Sequence, residues 1–188
     1  MRPHMKNFFL RGLVGFVLVT GIAFAAKPVA IPSDLEGIQI GTTAAGGEKY
    51  ALSLTATPDE LHIVYRGANG RDAQVVFTRK KAGDLVAALD KYLEWEQLAT
   101  SRGEVLTKRI ASVPSISGFN VYVGFKSLEA GRHALQMGIR SKLLGDSSGS
   151  AAGIVDLLMD RPNVEKLRAL AVRFQKGEPL TEAGDVYR

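Results

Sequence analysis

Residues 119–126 read Phe119-Asn120-Val121-Tyr122-Val123-Gly124-Phe125-Lys126. The apolar side chains fall on every second position, with polar or small ones between them. That period of two is the signature of a β-strand burying one face. Downstream, Glu129-Ala130-Gly131 predicts a turn into 133–140, where Leu135, Met137 and Ile139 again share a face. Upstream, 105–111 reads as a strand stopped by Pro114. The same alternation occurs earlier, in Tyr50, Leu52 and Leu54 and then in Leu61, Ile63 and Tyr65. Between these two runs, Pro58-Asp59-Glu60 has turn chemistry, since proline presets φ and aspartate bonds its own backbone. Gly67-Ala68-Asn69-Gly70 supplies the next turn, and 73–79 the third strand.

The period changes from residue 82. Leu85, Leu89, Tyr92 and Leu93 recur at helical spacing up to about residue 99, before Gly103. Asp84 near the start suits the free N–H groups and the dipole of a helix. Trp95, the only tryptophan, lies off this stripe, as cover for the helix edge or as part of a contact surface. After the loop at 145–153 helical material is expected. Val164, Leu167, Leu170, Ala171 and Phe174 form its stripe, with Pro162 at a helix-start position. The reading is an α+β fold: an antiparallel sheet of about six strands, ordered βββα-βββα, with two main helices packed on one face. Its boundaries are an extended leader at 26–48, one domain at 49–180 divisible into halves 49–100 and 104–177, and a polar tail at 181–188. A short strand at 37–41 is the one element expected in the leader, where Pro28, Pro32 and Gly46-Gly47 interrupt regular structure.

The N-terminus has the layout of a secretory signal. Arg2, Lys6 and Arg11 precede an apolar run from Gly12 to Phe24, and Ala23-Phe24-Ala25 matches the small-x-small pattern at which such signals are cut. Residues 1–25 are therefore expected to be a cleavable signal peptide, and the protein to be exported, periplasmic or secreted. The run falls short of the roughly 20 apolar residues that span a bilayer, and no later segment is apolar enough to do so.

The signal segment carries three of the 24 basic residues and none of the 19 acidic ones, so the remainder has an excess of only two positive charges. That small excess gives little support to a nucleic-acid partner, and none is expected. The chain has no cysteine, which excludes disulfides, thiolate metal sites and a cysteine nucleophile.

No catalytic, cofactor or metal constellation emerges. Gly145-Asp146-Ser147-Ser148-Gly149 resembles the serine segment of chymotrypsin-like proteases over five residues, but departs from its Gly-Asp-Ser-Gly-Gly order. A serine nucleophile requires a histidine oriented by a carboxylate. Beyond the signal only His62 and His133 are available, both in predicted strands and neither at metal-ligand spacing. The glycine-rich turns lack the lysine and following helix of a phosphate cradle. The feature with binding potential is a set of cations on strands or their ends. Arg66, Arg79, Lys108, Lys126 and Arg140, with Tyr122 and His133, are the candidate binding surface if the solvent faces of those strands lie together. The leading reading is a non-enzymatic envelope domain that binds an envelope protein or an anionic envelope component. One alternative is a carrier of a small molecule or lipid, its cavity lined by Trp95, Phe119, Phe125, Met137 and Phe174. The weaker alternative is a hydrolase pairing Ser147 or Ser148 with His133 or His62.

Overall fold

The computed structural model describes residues 27–39, 49–66, 72–116, 119–141 and 153–180. The expected signal peptide, the turn at 67–70, the serine loop and the tail at 181–188 lie outside them. Ten strands and two helices are present among the described residues. In chain order they are β1 (Val29–Ile31), β2 (Glu36–Gln39), β3 (Lys49–Ala51), β4 (Ser53–Ala56), β5 (Glu60–Arg66), β6 (Asp72–Thr78), α1 (Arg79–Arg102), β7 (Thr107–Pro114), β8 (Phe119–Glu129), β9 (Arg132–Ser141), β10 (Gly153–Met159) and α2 (Arg161–Lys176).

The α+β class is as the sequence predicts, but the strands divide into two antiparallel sheets. One has the order β1-β4-β5-β6 and the other β3-β2-β10-β9-β8-β7. The sheets meet at two corners. At the first, a long hairpin crosses from one sheet to the other, so that β1 pairs with β4 while β2 pairs with β3. Pro32 lies in the break between β1 and β2, Leu52 separates β3 from β4, and the Leu52 N–H donates to the Leu35 carbonyl at 2.9 Å. The segment expected to be a leader thus supplies two strands. Gly37 has a spatial role there: a Cβ at that position would lie 2.5–2.7 Å from Cγ and both Cδ atoms of Leu157.

At the second corner the chain leaving β7 closes on the edge of β6. Ser115 Oγ accepts from the Val76 N–H and donates to the Val76 carbonyl, each at 3.0 Å, and the Ile116 N–H also donates to that carbonyl at 3.0 Å. Ser115 is only 2% exposed, so these bonds form away from water.

Both helices feed one core. α1 touches β5 and β6 of one sheet and β7, β8 and β9 of the other, while α2 lies on α1 and reaches β9. Leu85, Leu89 and Tyr92 of α1 and Val164, Leu167 and Phe174 of α2 join Leu61, Ile63, Phe77, Phe125, Leu135 and Met137 in a single buried cluster. Thr78 caps α1, its hydroxyl accepting from the Lys81 N–H, and Asp160 caps α2 through the Asn163 N–H. Arg161–Glu96 and Arg168–Asp90 ion pairs join the helices at their exposed margin, and Lys166–Asp34 ties α2 to the first corner. The segment after the serine loop is a strand, not the expected helix. Leu157, Leu158 and Met159 are all buried in β10, so its apolar run is continuous and carries no period.

Candidate functional site

The register of the six-stranded sheet decides which way each candidate residue points. Lys108 pairs with Phe125, which pairs with Leu135, so Lys108 lies on the face that meets α1. Lys126 pairs with Thr107 and Ala134, and Tyr122 with Ser112 and Gly138, on the opposite face. Arg109 shares that outer face, its guanidinium carbon 5.4 Å from the Tyr122 ring centroid. The Tyr122 ring lies close over Gly124, where a Cβ would come within 3.0 Å of it. Arg140 pairs with Asn120 in the backbone ladder of β8 and β9, and Arg66 ends β5 in the other sheet. Arg79 lies apart from all of these. Its Nη1 donates to the Phe174 carbonyl at 3.1 Å and its guanidinium stacks on the Phe174 ring, fastening the start of α1 to the end of α2. The seven residues are therefore spread over the six-stranded sheet, the end of β5 in the other sheet and a helix junction; Lys108 and His133 share the inner face.

The inner face carries a cleft beside the end of α1. α1 ends at Gly103, whose φ of 64° is left-handed and whose N–H reaches back to the carbonyls of Ala99 and Thr100. A glycine at this position reverses the chain without Cβ strain, and β7 then returns beside the last turns of the helix. The result is a cleft of about 210 Å³ between helix and sheet, walled by Trp95, Leu98, Leu106, Lys108 and Phe125, with Glu104 at its mouth. Phe125 is fully buried at the back. Its ring is 5.7 Å from that of Tyr92, 6.4 Å from Trp95 at a steep 70°, and 5.1 Å from His133. Trp95 is half-buried, and the ammonium groups of Lys108 and Lys91 lie 5.0 and 5.5 Å from its centroid. Both distances are within cation–π range.

Leu98 on the cleft wall is 42% exposed. Lys91 is paired with Glu94 at 2.8 Å, and Glu104 with Arg102 at 3.5 Å. Lys108 has no carboxylate partner among the described residues, although its ammonium faces the indole.

His133 supports the wall from behind. Ser127 Oγ lies 2.9 Å from His133 Nδ1 and accepts from the Leu106 N–H at 3.0 Å, while the Ser127 N–H donates to the Leu106 carbonyl at 2.9 Å. These bonds hold Leu106 in place. His133 Nε2 is buried and has no hydrogen-bond partner among the described residues. In a catalytic triad the imidazole has the serine on one nitrogen and a carboxylate on the other; His133 has only the serine. His62 has Glu60 on one ring nitrogen and Gln74 on the other. Ser147 and Ser148 lie outside the described residues. No group of three or more metal-ligating His, Asp or Glu occurs among the described residues.

The described residues expected to line a carrier cavity are divided between the core and two separate clefts. Met137 is packed in the core at 1% exposure, Trp95 and the buried Phe125 border the cleft beside α1, and Phe174, 3% exposed, borders a second one. That second cleft, of about 290 Å³, lies where β1 meets the end of α2, with Arg79 in its wall. The sequence reading singled out Trp95 and Lys108 but missed Leu98 and Leu106. Leu98 follows Trp95 by three positions, one helical turn along the same flank, and that spacing was the available signal.

No protein-family model matches the chain, and no curated protein matches it either. Among solved structures, it is similar to the solution structure of outer surface protein E at 10% identity and a TM-score of 0.33, over 88% of this chain and 99% of that one. A likeness at that level bears on neither fold nor function here. Among the described residues no helix is long and apolar enough to cross a membrane.

Proposed function

We propose that the protein is an exported, non-enzymatic binding domain whose contact site is the Trp95 cleft, and that its partner is another component of the cell envelope. The observation that carries the reading is the half-buried Trp95 beside an exposed Leu98, over a rigid Phe125 floor and under two lysine ammoniums. Tryptophan set in a packed surround is the residue type in which binding energy concentrates, and a polar rim is the usual surround of such a hot spot. Export rests on the basic start, apolar run and Ala-Phe-Ala site of residues 1–25. A cleft of about 210 Å³ is below the roughly 300–1,000 Å³ of small-molecule pockets. It suits one large side chain of a partner better than an enclosed ligand.

The test is chemical crosslinking in the producing cells with a tagged full-length copy, beside Leu98→Asp and Trp95→Ala variants. The reading expects a specific crosslinked product that both variants lose while retaining a folded circular dichroism spectrum. Crosslinks identical in all three proteins, or recovery of the protein alone, would contradict it. Mass spectrometry of the same samples reports the mature N-terminus, and a chain still beginning at Met1 or Met5 would contradict signal cleavage.

A further inference from the structure

β7 is the outer strand of the six-stranded sheet, and among the described residues its one ladder partner is β8. Its far end is occupied, because the chain beyond Pro114 bonds Val76 of β6. From Thr107 to Ser112 no strand among the described residues covers it, and Thr107, Lys108, Arg109 and Ser112 are exposed. An open edge of this length is a template for a further strand.

The edge also carries the devices that discourage indiscriminate pairing. The register slips between Arg109 and Ala111, leaving Ile110 as an extra residue, and two adjacent cations sit beside the slip. Two copies of this edge in contact would oppose basic side chains to basic side chains, a destabilising arrangement. The same charges favour an acidic strand. Lys108 projects on the cleft side, whereas Arg109 and Lys126 project on the other. Among the described residues neither Lys108 nor Lys126 has a carboxylate partner. Leu106 and Lys108 also belong to the cleft wall, so the cleft opens at the start of this edge. Alternate side chains of an added strand point to opposite faces. One set would reach the cleft and the other the outer cations.

We propose that β7 accepts an acidic, extended peptide segment of a partner as an added strand, anchored by one large apolar side chain in the Trp95 cleft. This rests on the reading of that cleft as the contact site. Main-chain hydrogen bonds to Thr107–Ser112 supply the register, and the cleft supplies the selectivity, as in other strand-addition complexes.

The experiment is selection from a random displayed peptide library against the full protein, followed by amide exchange on the complex. The expected peptides alternate acidic residues with large apolar ones. They slow exchange of the 107–112 amides and alter Trp95 fluorescence, and they bind more weakly as salt rises. Lys108→Glu is exposed and should fold normally; it is expected to weaken these peptides about fivefold and, used as bait itself, to enrich basic sequences. Enrichment of neutral or basic sequences by the unmodified protein, 107–112 amides exchanging at the free rate, or no enrichment at all would overturn strand addition. A peptide that shifts Trp95 fluorescence without protecting β7 would overturn strand addition but leave the cleft as the contact site. Cell crosslinks that Leu98→Asp leaves unchanged would remove the cleft reading itself.

Discussion

Ser115→Ala tests whether the two sheets are joined where β7 runs out against β6. The serine hydroxyl accepts from the Val76 N–H and donates to the Val76 carbonyl, in a site where Ser115 is 2% and Val76 8% exposed. Alanine removes both bonds. The carbonyl keeps its bond from the Ile116 N–H, so the uncompensated loss falls on the Val76 N–H alone. A buried donor left without a partner costs about 1–3 kcal/mol, and loss of one serine hydroxyl adds little cavity volume. The expected destabilisation is therefore about 2 kcal/mol, read as a lower urea midpoint at an unchanged slope. Amide exchange supplies a second reading: Val76 should exchange faster in the variant, while Leu61, in the interior of the same sheet, should be affected only through global stability. A loss below about 0.5 kcal/mol, within the range of ordinary surface substitutions, with no change at Val76 would refute the closed corner. β6 and β7 would then be independent edges.

Other predictions follow from neighbouring packing. Burial, with the Glu96 and Asp160 carboxylates adding to it, pushes the Tyr92 hydroxyl above its ordinary value. A group whose folded value is raised contributes stability that is present below the unfolded value, about 10, and is lost as pH climbs past it, by about 1.4 kcal/mol per unit. Alkaline titration of stability should show that decline, and Tyr92→Phe should remove it, with little cost at pH 7 because among the described residues the buried hydroxyl makes no well-formed hydrogen bond. Gly37→Ala drives a methyl into Leu157 and should cost about 1–3 kcal/mol by urea unfolding; shortening the clashing side chain in Gly37→Ala/Leu157→Ala should show a coupling that offsets part of that cost. Arg79→Met keeps much of the apolar stem but loses the bond to the Phe174 carbonyl. It should fray the end of α2, seen as faster exchange near Lys176, and should leave binding at the Trp95 cleft unchanged.

The strands around Phe119–Lys126 were legible because one of their faces is wet, so burial leaves a period of two in the sequence. β10 was not, because Leu157, Leu158 and Met159 are buried in succession and give no period. The first corner was read as a leader because Pro32 and Gly37 look like breakers. In the fold the proline falls where the chain changes sheets, and the glycine makes room for Leu157. Nothing local distinguishes Ser115 from a loop serine, since its importance depends on Val76, 39 positions away. The candidate surface was partly legible for a related reason. Alternation identifies the two faces of a strand, but assigning Lys108 to the inner one requires its pairing with Phe125, and the slip at Ile110 breaks the count along β7. The cleft itself arises from the Gly103 reversal that brings Leu98 and Leu106 together, a contact made in space between residues on different elements.

The most direct test of the cleft as a contact site is site-specific photocrosslinking. A photoreactive amino acid would be placed at Leu98 in the full-length protein, with Glu165 on the exposed side of α2 as the control position, and irradiated in the producing cells. The account predicts a discrete crosslinked partner from position 98 and none from position 165. Equal crosslinking from both positions, or none from position 98 while chemical crosslinking still captures a partner, would place the contact elsewhere and contradict it.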